Sequence, residues 1–441
     1  MRRRAPGYQA GSDERGPMSV RAGQLAALAE ALRAVLPLAA PADIVLHDYF
    51  RRHHRLGQRD RAFVAEGVFA TLRRRRSLAA QIAATASDAS GSDEARLLAI
   101  AVCVRELGIS LRELEGALSQ QEQLWARQFK SSRPSLIPAE AAELPDWLWD
   151  ALGSALPSER DALARAWLTP APLDLRVNTL KMTRDAARSA LAGDGIDASA
   201  TSYSPVGLRV AGRPALQRHP LFLSGAIEVQ DEASQLACYL VAPKRGEMVV
   251  DFCAGAGGKT LALGALMRSQ GRLYAFDVSS RRLAKLKPRL ARSGLSNVHP
   301  VQIDDERDNH VKRLAGKIDR VLVDAPCSGF GTLRRNPDLK WRQAPTAIAE
   351  LALKQSRLLA SAATLCKPGG RVIYATCTVL PEENDAVLEN FLASHPGFVL
   401  GDASAELARA GITLDTGKLL RLYPHLHGCD GFFAALLQRF A

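Results

Sequence analysis

Residues 247–260 constrain the fold of this chain more tightly than any other segment. They are predicted to form a short apolar strand, a glycine-rich turn and the start of a helix, with the letters EMVVDFCAGAGGKT. Glycines are needed in such a turn because the backbone bends sharply and a ligand must approach it without interference from Cβ atoms. The segment therefore predicts a ligand-binding loop at the carboxyl end of a parallel strand.

Two common glycine-rich loops do not fit this segment. A Walker A loop needs a glycine five residues before the glycine that precedes Lys259 and Thr260, and Cys253 stands at that position. A dinucleotide-binding fingerprint needs a third glycine where Thr260 stands, three residues after Gly257. What remains is the loop of a methyl-donor fold, with the carboxylate of Asp251 at the end of the strand.

Acidic residues also close the next two predicted strands, where they can contact such a ligand. Asp277 ends the strand at 272–276, about 20 residues after the glycines, and can accept hydrogen bonds from both ribose hydroxyls. Asp304 ends the third strand and can accept a hydrogen bond from an adenine amino group. Its neighbour Asp305 stays an alternative for the same contact.

Two cysteines follow the last strands of this series. The buried strand at 318–323 leads to Asp324 and Cys327, and the strand at 371–375 leads to Cys377. Doubly wound folds bind ligands at the carboxyl ends of their strands, so we expect both thiols in one crevice. The remaining cysteines outside the glycine-rich turn are expected to fill the apolar core: Cys103, Cys238, Cys366 and Cys429.

Two thiols in one crevice suit methyl transfer to C5 of a pyrimidine. This carbon is too weak a nucleophile by itself, but a thiolate that adds to C6 makes it enamine-like and able to attack a sulfonium methyl group. Asp324 near N3, protonated or sharing a proton with the base, would stabilise the charge that develops on the ring. The second thiol can act as general base or acid. These residues leave open which cysteine is the nucleophile.

The rest of the chain predicts further regions before the methyl-donor fold. A length of 441 residues corresponds to about three units of ordinary size. Amphipathic helical patterns come first, a mixed strand and helix pattern follows, and strands then alternate with helices as in a parallel sheet. We predict a disordered basic tail at 1–17, a helical module at 18–130, a linker with a small α+β domain at 131–240, and a doubly wound α/β domain at 241–441.

Charge and cysteine usage indicate the kind of partner and compartment. The 58 Lys and Arg residues outnumber the 46 Asp and Glu residues, and the net charge of +12 favours a nucleic acid partner. Arginine clusters at 51–55 and 73–76 can grip phosphates, although solvated helix ends have the same composition. Seven scattered cysteines without a C-x-x-C pair indicate reduced thiols, no zinc site and a cytoplasmic protein. The apolar stretch at 25–46 is interrupted by charges and is not expected to enter a membrane.

Taken together, the motifs resemble the RNA cytosine-C5 methyltransferases of the NOL1/NOP2/Sun, or Fmu, group. Residues 251–260 are similar to the family motif Asp-x-Cys-Ala-Ala-Pro-Gly-Gly-Lys-Thr, with Gly255 and Ala256 in place of the usual Ala-Pro. The match covers about residues 145–441, and residues 60–64 are more loosely similar to the NusB-like domain of the bacterial 16S rRNA member. Further blocks match in the same order: 176–181, 229–234, 324–329, 336–341, 375–378, 381–384 and 430–433.

The resemblance implies a Rossmann-like class I methyltransferase domain, S-adenosylmethionine as methyl donor, and RNA, specifically 16S rRNA, as substrate. It also implies that Cys377 is the nucleophile and that Cys327 acts in release. We expect a monomer without bound metal and without membrane contact. The residues predicted to bind the cofactor are Cys253, Ala254, Gly255, Ala256, Gly257, Gly258, Lys259, Asp277, Asp304 and Asp324.

Two other functions stay open on the sequence. One is an RNA-binding assembly factor that keeps the fold without turnover. The other is a DNA cytosine methyltransferase, in which Cys327, the thiol that follows Pro326, would be the nucleophile.

Overall fold

The computed structural model describes residues 20–85 and 93–441, and the chain divides into two compact units, residues 1–143 and 144–441. The helices described in the first unit are α1 (Ala22–Val35), α2 (Ala42–Arg52), α3 (Gln58–Arg73), α4 (Arg75–Ala83), α5 (Glu94–Arg105), α6 (Leu111–Leu114), α7 (Gln120–Ser131) and α8 (Pro138–Ala141). Helix α1 buries Leu25, Leu28 and Leu32, which recur with the helical period. Gly67 of α3 packs directly on Leu28, because a Cβ there would lie 2.7 Å from Leu28 Cδ1. The predicted helical region is confirmed.

The second unit opens with two helices and a small antiparallel sheet of strand order β2-β3-β1-β4. Its elements are α9 (Asp146–Ala155), α10 (Arg160–Trp167), β1 (Leu173–Val177), α11 (Arg184–Gly193), β2 (Ala198–Ala200), β3 (Gly207–Val210), α12 (Pro220–Leu223) and β4 (Ile227–Val229). One face of the sheet packs on α11 through Leu175, Leu191 and Leu208. The predicted α+β arrangement is confirmed.

A larger sheet with helices between its strands forms the rest of the second unit. Its elements are α13 (Glu232–Val241), β5 (Met248–Asp251), α14 (Gly258–Leu266), β6 (Arg272–Asp277), α15 (Ser280–Ser293), β7 (Val298–Gln302), α16 (Asn309–Arg313), β8 (Ile318–Asp324), α17 (Leu339–Arg342), α18 (Pro345–Leu365), β9 (Cys366–Thr376), α19 (Asp385–Ser394), β10 (Phe398–Leu400), α20 (Ala403–Arg409), β11 (Leu419–Leu422), α21 (Pro424–His427) and β12 (Phe432–Arg439). The strand order is β7-β6-β5-β8-β9-β12-β10, and β11 also pairs with β12.

The order of these strands confirms the predicted doubly wound α/β fold. Strands β5 to β9 are parallel, and β12 joins β9 antiparallel. Successive residues of one strand pack into different apolar clusters, Val249 into one and Val250 into the other, so both faces of the sheet are covered. The strand order reverses between β5 and β8, which is where such sheets open a crevice for ligands.

Two local features differ from the patterns in the sequence. Trp147 is half-buried at the edge of α9 and lies outside the core, which α9 contacts through Leu148 and Leu152; its ring lies 5.8 Å from that of Phe330. The strand predicted at 371–375 begins earlier in the structure, because Cys366 already pairs with Ile318 of β8 and residues 367–370 form an irregular part of β9. Both differences reflect neighbours distant in the sequence.

Candidate active site

A cavity of about 790 Å³ opens at the carboxyl ends of β5, β6 and β8, within the second unit. The strand reversal brings these ends together. All but one of the predicted site residues line this cavity: Cys253, Ala254, Gly255, Ala256, Gly258, Lys259, Asp277, Asp304, Asp324, Cys327 and Cys377. The exception is Gly257, which belongs to the glycine-rich loop but faces Leu286 and not the cavity. Its φ of +82° and the contact that a Cβ would make with Leu286 require glycine there.

The glycine-rich loop is held from below by Asp251. This carboxylate is fully buried and accepts a hydrogen bond of 2.6 Å from Thr260 Oγ1 of α14, so it ties the end of β5 to the start of the helix. Burial raises the pKa of Asp251 to about 7, although the Thr260 hydrogen bond acts in the opposite direction. Asp251 therefore supports the loop from outside the cavity.

Asp277 shapes the same loop from the end of β6. Its Oδ2 accepts a hydrogen bond from Gly255 N at 2.8 Å, and its Oδ1 accepts one from Ser279 N at 2.7 Å. Arg282, about half exposed, contacts Oδ1 at 3.0 Å. A carboxylate has roughly four acceptor positions, so capacity for ribose hydroxyls remains, and it grows if Arg282 moves away.

Asp304 and Asp305 both line the far end of the cavity, just after β7. The side chain of Asp305 accepts a hydrogen bond from Arg307 N at 2.7 Å, whereas Asp304 contributes its backbone N–H to Asp308. The structure therefore brings both carboxylates to the cavity, and the choice between them stays open.

The two predicted thiols lie in direct contact. The sulfur atoms of Cys327 and Cys377 are 3.4 Å apart, because the parallel register of β8 and β9 pairs Asp324 with Ala375 just before them. The hydrogen bond to Cys377, burial, and the nearby charges of Cys377 and Glu383 raise the pKa of Cys327 well above its usual range. The four cysteines expected in the core are indeed buried: Cys103, Cys238, Cys366 and Cys429.

Asp324 forms an ion pair with Lys259 across the cavity. Lys259 Nζ donates to Asp324 Oδ2 at 2.7 Å and lies 5.2 Å from the ring centre of Phe432. Burial alone would lower the pKa of Lys259, but the charge of Asp324 and the hydrogen bond to it raise the pKa instead. Lys259, predicted only as a cofactor contact, therefore places a stable positive charge beside Asp324.

The thiol loops are residues 325–329 after β8, which carry Cys327, and residues 377–380 after β9, which begin with Cys377. Several polar residues that support these loops were not predicted as site residues. Glu383 is fully buried and accepts hydrogen bonds from the backbone of Ser328 and from Gln355. Asn384, the next residue, bonds to Thr376 Oγ1 at 2.5 Å and to the carbonyl oxygen of Thr378. The polar run at 381–384, directly after the second thiol, is the only signal in the sequence for this support.

Arg335 closes the cavity opposite the glycine-rich loop. Its guanidinium donates to Asp430 Oδ2 and to Asp231 Oδ2, both at 2.7 Å, and to the carbonyl oxygen of Pro172. Burial raises the pKa of Asp430 to about 7, with Asp231 acting in the same direction and Arg335 against it. The sequence carries no local signal for this clamp, because its members are 95 and 104 residues from Arg335.

The two arginine clusters of the first unit differ in exposure. In the cluster at 51–55 the side chain of Arg51 is 76% exposed, although it contacts Asp48 at 3.4 Å, and Arg55 is also exposed. In the cluster at 73–76, Arg74 contacts Glu106 at 3.3 Å and Arg76 contacts Glu140 at 3.7 Å. Both clusters contact acids of their own unit, but they differ in exposure: the side chain of Arg51 is 76% exposed, whereas those of Arg74 and Arg76 are 34% and 20% exposed.

No helix within residues 20–85 and 93–441 is both long and apolar enough to cross a membrane. Among the same residues, no group of three or more His, Cys, Asp or Glu side chains is arranged to hold a metal ion.

Comparison with protein families matches residues 238–438 to the family described as 16S rRNA methyltransferase RsmB/F. Residues 144–217 match the RsmF/B-like ferredoxin-like domain. Among curated proteins, the chain is 37% identical over 302 residues to a probable ribosomal RNA small subunit methyltransferase B from Synechocystis sp., covering 68% of each chain. It is 33% identical over 298 residues to the probable methyltransferase B of Bacillus subtilis, covering 67% of this chain and 66% of that one.

Several solved structures are similar to this chain in fold. The crystal structure of PH0851 covers 96% of this chain and 100% of its own, with a TM-score of 0.78 and 27% identity. A methyltransferase homologue from Pyrococcus horikoshii covers 69% of this chain and 100% of its own, with a TM-score of 0.59 and 29% identity. NSun6 from Pyrococcus horikoshii, solved with the S-adenosylmethionine analogue SFG, covers 67% of this chain and 98% of its own, with a TM-score of 0.60. At 22% identity it supports the fold alone.

Proposed function

Because the chain belongs to the RsmB/F family of S-adenosylmethionine-dependent rRNA methyltransferases, we propose that it forms 5-methylcytosine in 16S rRNA through a covalent bond between Cys377 Sγ and C6 of the target base. The observation that carries this proposal is the thiol pair beside a fixed positive charge in one cavity: Cys327, Cys377 and Lys259. Such a pair is what addition to C6 followed by release requires.

The residues of the cavity fit the methyl donor. Gly255 has a φ of +57° and no heavy atom within 4 Å of the position that a Cβ would occupy, so the loop leaves room for a ligand against its backbone. Asp277 keeps acceptor capacity for ribose hydroxyls, and Asp304 or Asp305 can accept from the adenine amino group. S-adenosylmethionine, when bound, supplies an electrophilic methyl group on a sulfonium centre.

The assignment of Cys377 as nucleophile is supported by the charges around the two sulfur atoms. Glu383 adds negative charge near Cys327, which helps to keep that thiol protonated. The Lys259 ammonium interacts favourably with a negative charge on Cys377. Cys327 can therefore donate its proton in a hydrogen bond to the Cys377 sulfur, which leaves Cys377 as the proposed nucleophile.

The remaining groups stabilise the charge that moves through the base. When Cys377 Sγ bonds to C6, electron density shifts toward C5 and N3, and Lys259 with its partner Asp324 can stabilise the negative charge and share a proton with N3. After C5 is methylated, its proton leaves to a solvent base, the electron pair of the C5–H bond restores the C5=C6 double bond, and the S–C6 bond breaks. The electron pair of that bond returns to Cys377, whose sulfur is stabilised as it leaves by the thiol hydrogen bond from Cys327.

The test is methyl transfer from radiolabelled S-adenosylmethionine to undermodified 16S rRNA, with nucleoside analysis of the product. We expect the wild type to label C5 of cytosine, Cys377→Ala to be inactive, and Cys327→Ala to accumulate a covalent RNA adduct visible by denaturing electrophoresis. Full activity of Cys377→Ala would contradict the assignment and favour Cys327 as the nucleophile. No labelling of any RNA by the wild type would favour an assembly factor without turnover.

We further propose that the exposed arginines at 51–55 contribute to RNA affinity, whereas the cluster at 73–76 mainly stabilises its own unit. Exposed guanidinium groups are available to phosphates, while Arg74 and Arg76 are already engaged by Glu106 and Glu140. We also keep the expectation of a monomeric, metal-free enzyme in the cytoplasm.

Salt-dependent RNA binding separates the two clusters. Removing one side chain that neutralises a phosphate of single-stranded RNA should reduce the slope of log K against log salt concentration by about 0.7. We expect the triple variant Arg51→Gln, Arg52→Gln, Arg55→Gln to flatten this slope. The paired variant Arg74→Gln, Arg76→Gln should leave it unchanged and lower the melting temperature. An unchanged slope in the triple variant would refute the role of the first cluster.

A further inference from the structure

Glu383 is a fully buried carboxylate at the end of the single 3₁₀ turn Pro381–Glu383, directly after the second thiol loop. Its Oε1 accepts hydrogen bonds from Ser328 N at 2.8 Å and Gln355 Nε2 at 2.9 Å, and its Oε2 accepts one from Ser328 Oγ at 2.5 Å. Burying an ionised carboxylate is costly unless hydrogen bonds compensate it. Three donors converge on this one, so the position is built to hold a carboxylate.

The hydrogen bonds of the Glu383 carboxylate lead to the loop that carries Cys327. Ser328 follows Cys327 directly, and its hydroxyl also bonds to Thr378 Oγ1 at 2.8 Å, which follows Cys377. Gln355 of α18 makes a second hydrogen bond, to the carbonyl oxygen of Pro326, at 2.9 Å. The Glu383 side chain thus holds this loop on both sides of Cys327, directly at Ser328 and through Gln355 at Pro326.

The residues around Glu383 fix the position of its backbone. Tyr374 of β9 donates its hydroxyl to the carbonyl oxygen of Glu383 at 2.5 Å. Asn384, the next residue, is bonded to both ends of the Cys377 loop, through Thr376 and Thr378. The backbone at 383–384 is therefore anchored on the second loop, while the Glu383 side chain is anchored on the first.

We propose that Glu383 is a positioning residue for the release step, because it holds the Cys327 thiol against the Cys377 sulfur. This inference rests on the proposed function, in which Cys327 acts after the covalent adduct has formed. Glu383 does not line the cavity and touches neither thiol in a hydrogen bond, so it acts through Ser328 and Gln355. Its negative charge adds to the effect, since it is one of the causes that raise the pKa of Cys327 and keep that thiol protonated.

Two substitutions separate the effect of the hydrogen bonds of Glu383 from the effect of its negative charge. Glu383→Ala removes all three hydrogen bonds to the carboxylate and frees the Cys327 loop. Glu383→Gln can keep the geometry, because its amide oxygen can accept from Ser328 N and Gln355 Nε2 while its amide nitrogen donates to Ser328 Oγ, whose own proton then turns to Thr378. Glu389→Gln, on an exposed position of α19, is the matched control for loss of one negative charge.

The experiment measures adduct formation and product release separately, by quenching single-turnover reactions on undermodified 16S rRNA into denaturing gels. Displacing a catalytic group by about 1 Å costs on the order of a hundredfold. We expect Glu383→Ala to form the adduct at the wild-type rate. Its product release should be about a hundredfold slower than that of the wild type, as with Cys327→Ala. Glu383→Gln should restore most of the release, and Glu389→Gln should match the wild type.

The outcomes distinguish this inference from the proposed function. If Cys327→Ala and Cys377→Ala behave as proposed but Glu383→Ala releases product at the wild-type rate, the positioning role of Glu383 is wrong. Equal losses of adduct formation and release in Glu383→Ala would indicate a merely structural role and also overturn it. If Glu383→Ala does not fold, Ser328→Ala tests the same link: slowed release with normal adduct formation supports the inference, and wild-type release refutes it.

Discussion

The two halves of the cavity are constructed differently. The cofactor half is residues 251–260 with Asp277, and its turn is shaped by short-range contacts: Thr260 binds Asp251 nine residues away, and Gly255 binds Asp277 22 residues away. A longer-range contact links it to the other half, since Lys259 binds Asp324, 65 residues away. The thiol half is held by partners much farther along the chain, such as Ser328 and Glu383, which are 55 residues apart. Short-range contacts recur in the sequence as a motif, whereas long-range contacts become visible only in the folded chain.

This difference predicts that cofactor binding and the transfer reaction can be impaired separately by substitutions in the two halves. A substitution in the cofactor half should weaken cofactor binding and leave the chemistry intact at saturating cofactor. A substitution in the thiol half, which is the two thiol loops with Glu383 and Asn384, should slow the transfer reaction and leave cofactor binding intact. The following experiments test that separation, beginning with the largest expected effect.

Removing the proposed nucleophile should affect only the thiol half. We expect Cys377→Ala to reduce the single-turnover transfer rate by on the order of 10⁵-fold, as the loss of a covalent nucleophile does in other enzymes. Calorimetric binding of S-adenosylmethionine should stay within about twofold of the wild type, since sulfur supports none of the hydrogen bonds of the glycine-rich loop. A parallel loss of cofactor affinity would show that the halves are coupled.

Gly331 tests the thiol half without touching a thiol. Gly331 N donates to the carbonyl oxygen of Cys377 at 2.9 Å, and Gly431 N donates to the carbonyl oxygen of Gly331 at 2.8 Å. A Cβ at position 331 would overlap the carbonyl oxygen of Gly431, so Gly331→Ala must displace the Cys377 loop. We expect about a hundredfold slower transfer with unchanged cofactor affinity. Gly397→Ala, where a Cβ meets nothing within 4 Å, is the control.

Asp277→Asn should act on the cofactor half alone. The amide can accept from only one of the Gly255 and Ser279 N–H groups, and its NH₂ then faces the other donor. We expect the cofactor Kd to rise by about tenfold to a hundredfold, with the transfer rate at saturating cofactor retained. A slower rate at saturation, measured in the same single-turnover assay, would contradict the separation.

Asp251 should make the stability of the cofactor half depend on pH. Its pKa in the folded protein, about 7, lies above the value of 3.8 expected when unfolded, so the folded state binds the extra proton between these values. Stability should therefore fall as the pH rises from about 4 to about 7. We expect Asp251→Asn to be more stable than the wild type at pH 8, by about 1–3 kcal/mol, and to lose this advantage below about pH 4. Urea unfolding at both pH values measures it, and a pH-independent difference would exclude this origin.

The smallest expected effect concerns the reactivity of Cys327. The hydrogen bond to Cys377, burial and the charges of Cys377 and Glu383 raise its pKa, so removing the Glu383 charge should lower the pKa and increase the thiolate fraction. We expect iodoacetamide to label Cys327 about threefold faster at pH 8 in Glu383→Gln than in the wild type. Peptide mass spectrometry separates Cys327 from Cys377, and equal labelling would show that the carboxylate charge does not reach the thiol.

The same contrast explains what the sequence could predict. The strand, turn and helix of the glycine-rich loop are local, and short apolar runs followed by an acidic residue identify β5, β6 and β8 without reference to the rest of the chain. Adjacent parallel strands then bring their carboxyl ends together, which is why Cys327 and Cys377 can be assigned to one crevice from the sequence alone.

Other features depend on partners that no local pattern identifies. The sequence predicts Asp324 near N3 as an acid, but its contact with Lys259 joins residues that are 65 positions apart, one at the start of α14 and the other at the end of β8. Arginines at 73–76 resemble those at 51–55 in composition, and only distant Glu106 and Glu140 distinguish them. Glu383 stands in a polar run whose function becomes apparent only when Ser328 and Gln355 are close in space.

The contact between the two thiols also bears on oxidation. Their sulfur atoms are 3.4 Å apart in a cavity that small solutes can enter, and a disulfide requires about 2.0 Å. Loss of two protons and two electrons to a peroxide would therefore need only a small approach of the two loops, which adjacent strands already hold side by side. A single new bond would remove the nucleophile and its release partner together, so the proximity that suits the catalytic cycle also makes the cycle dependent on a reducing environment.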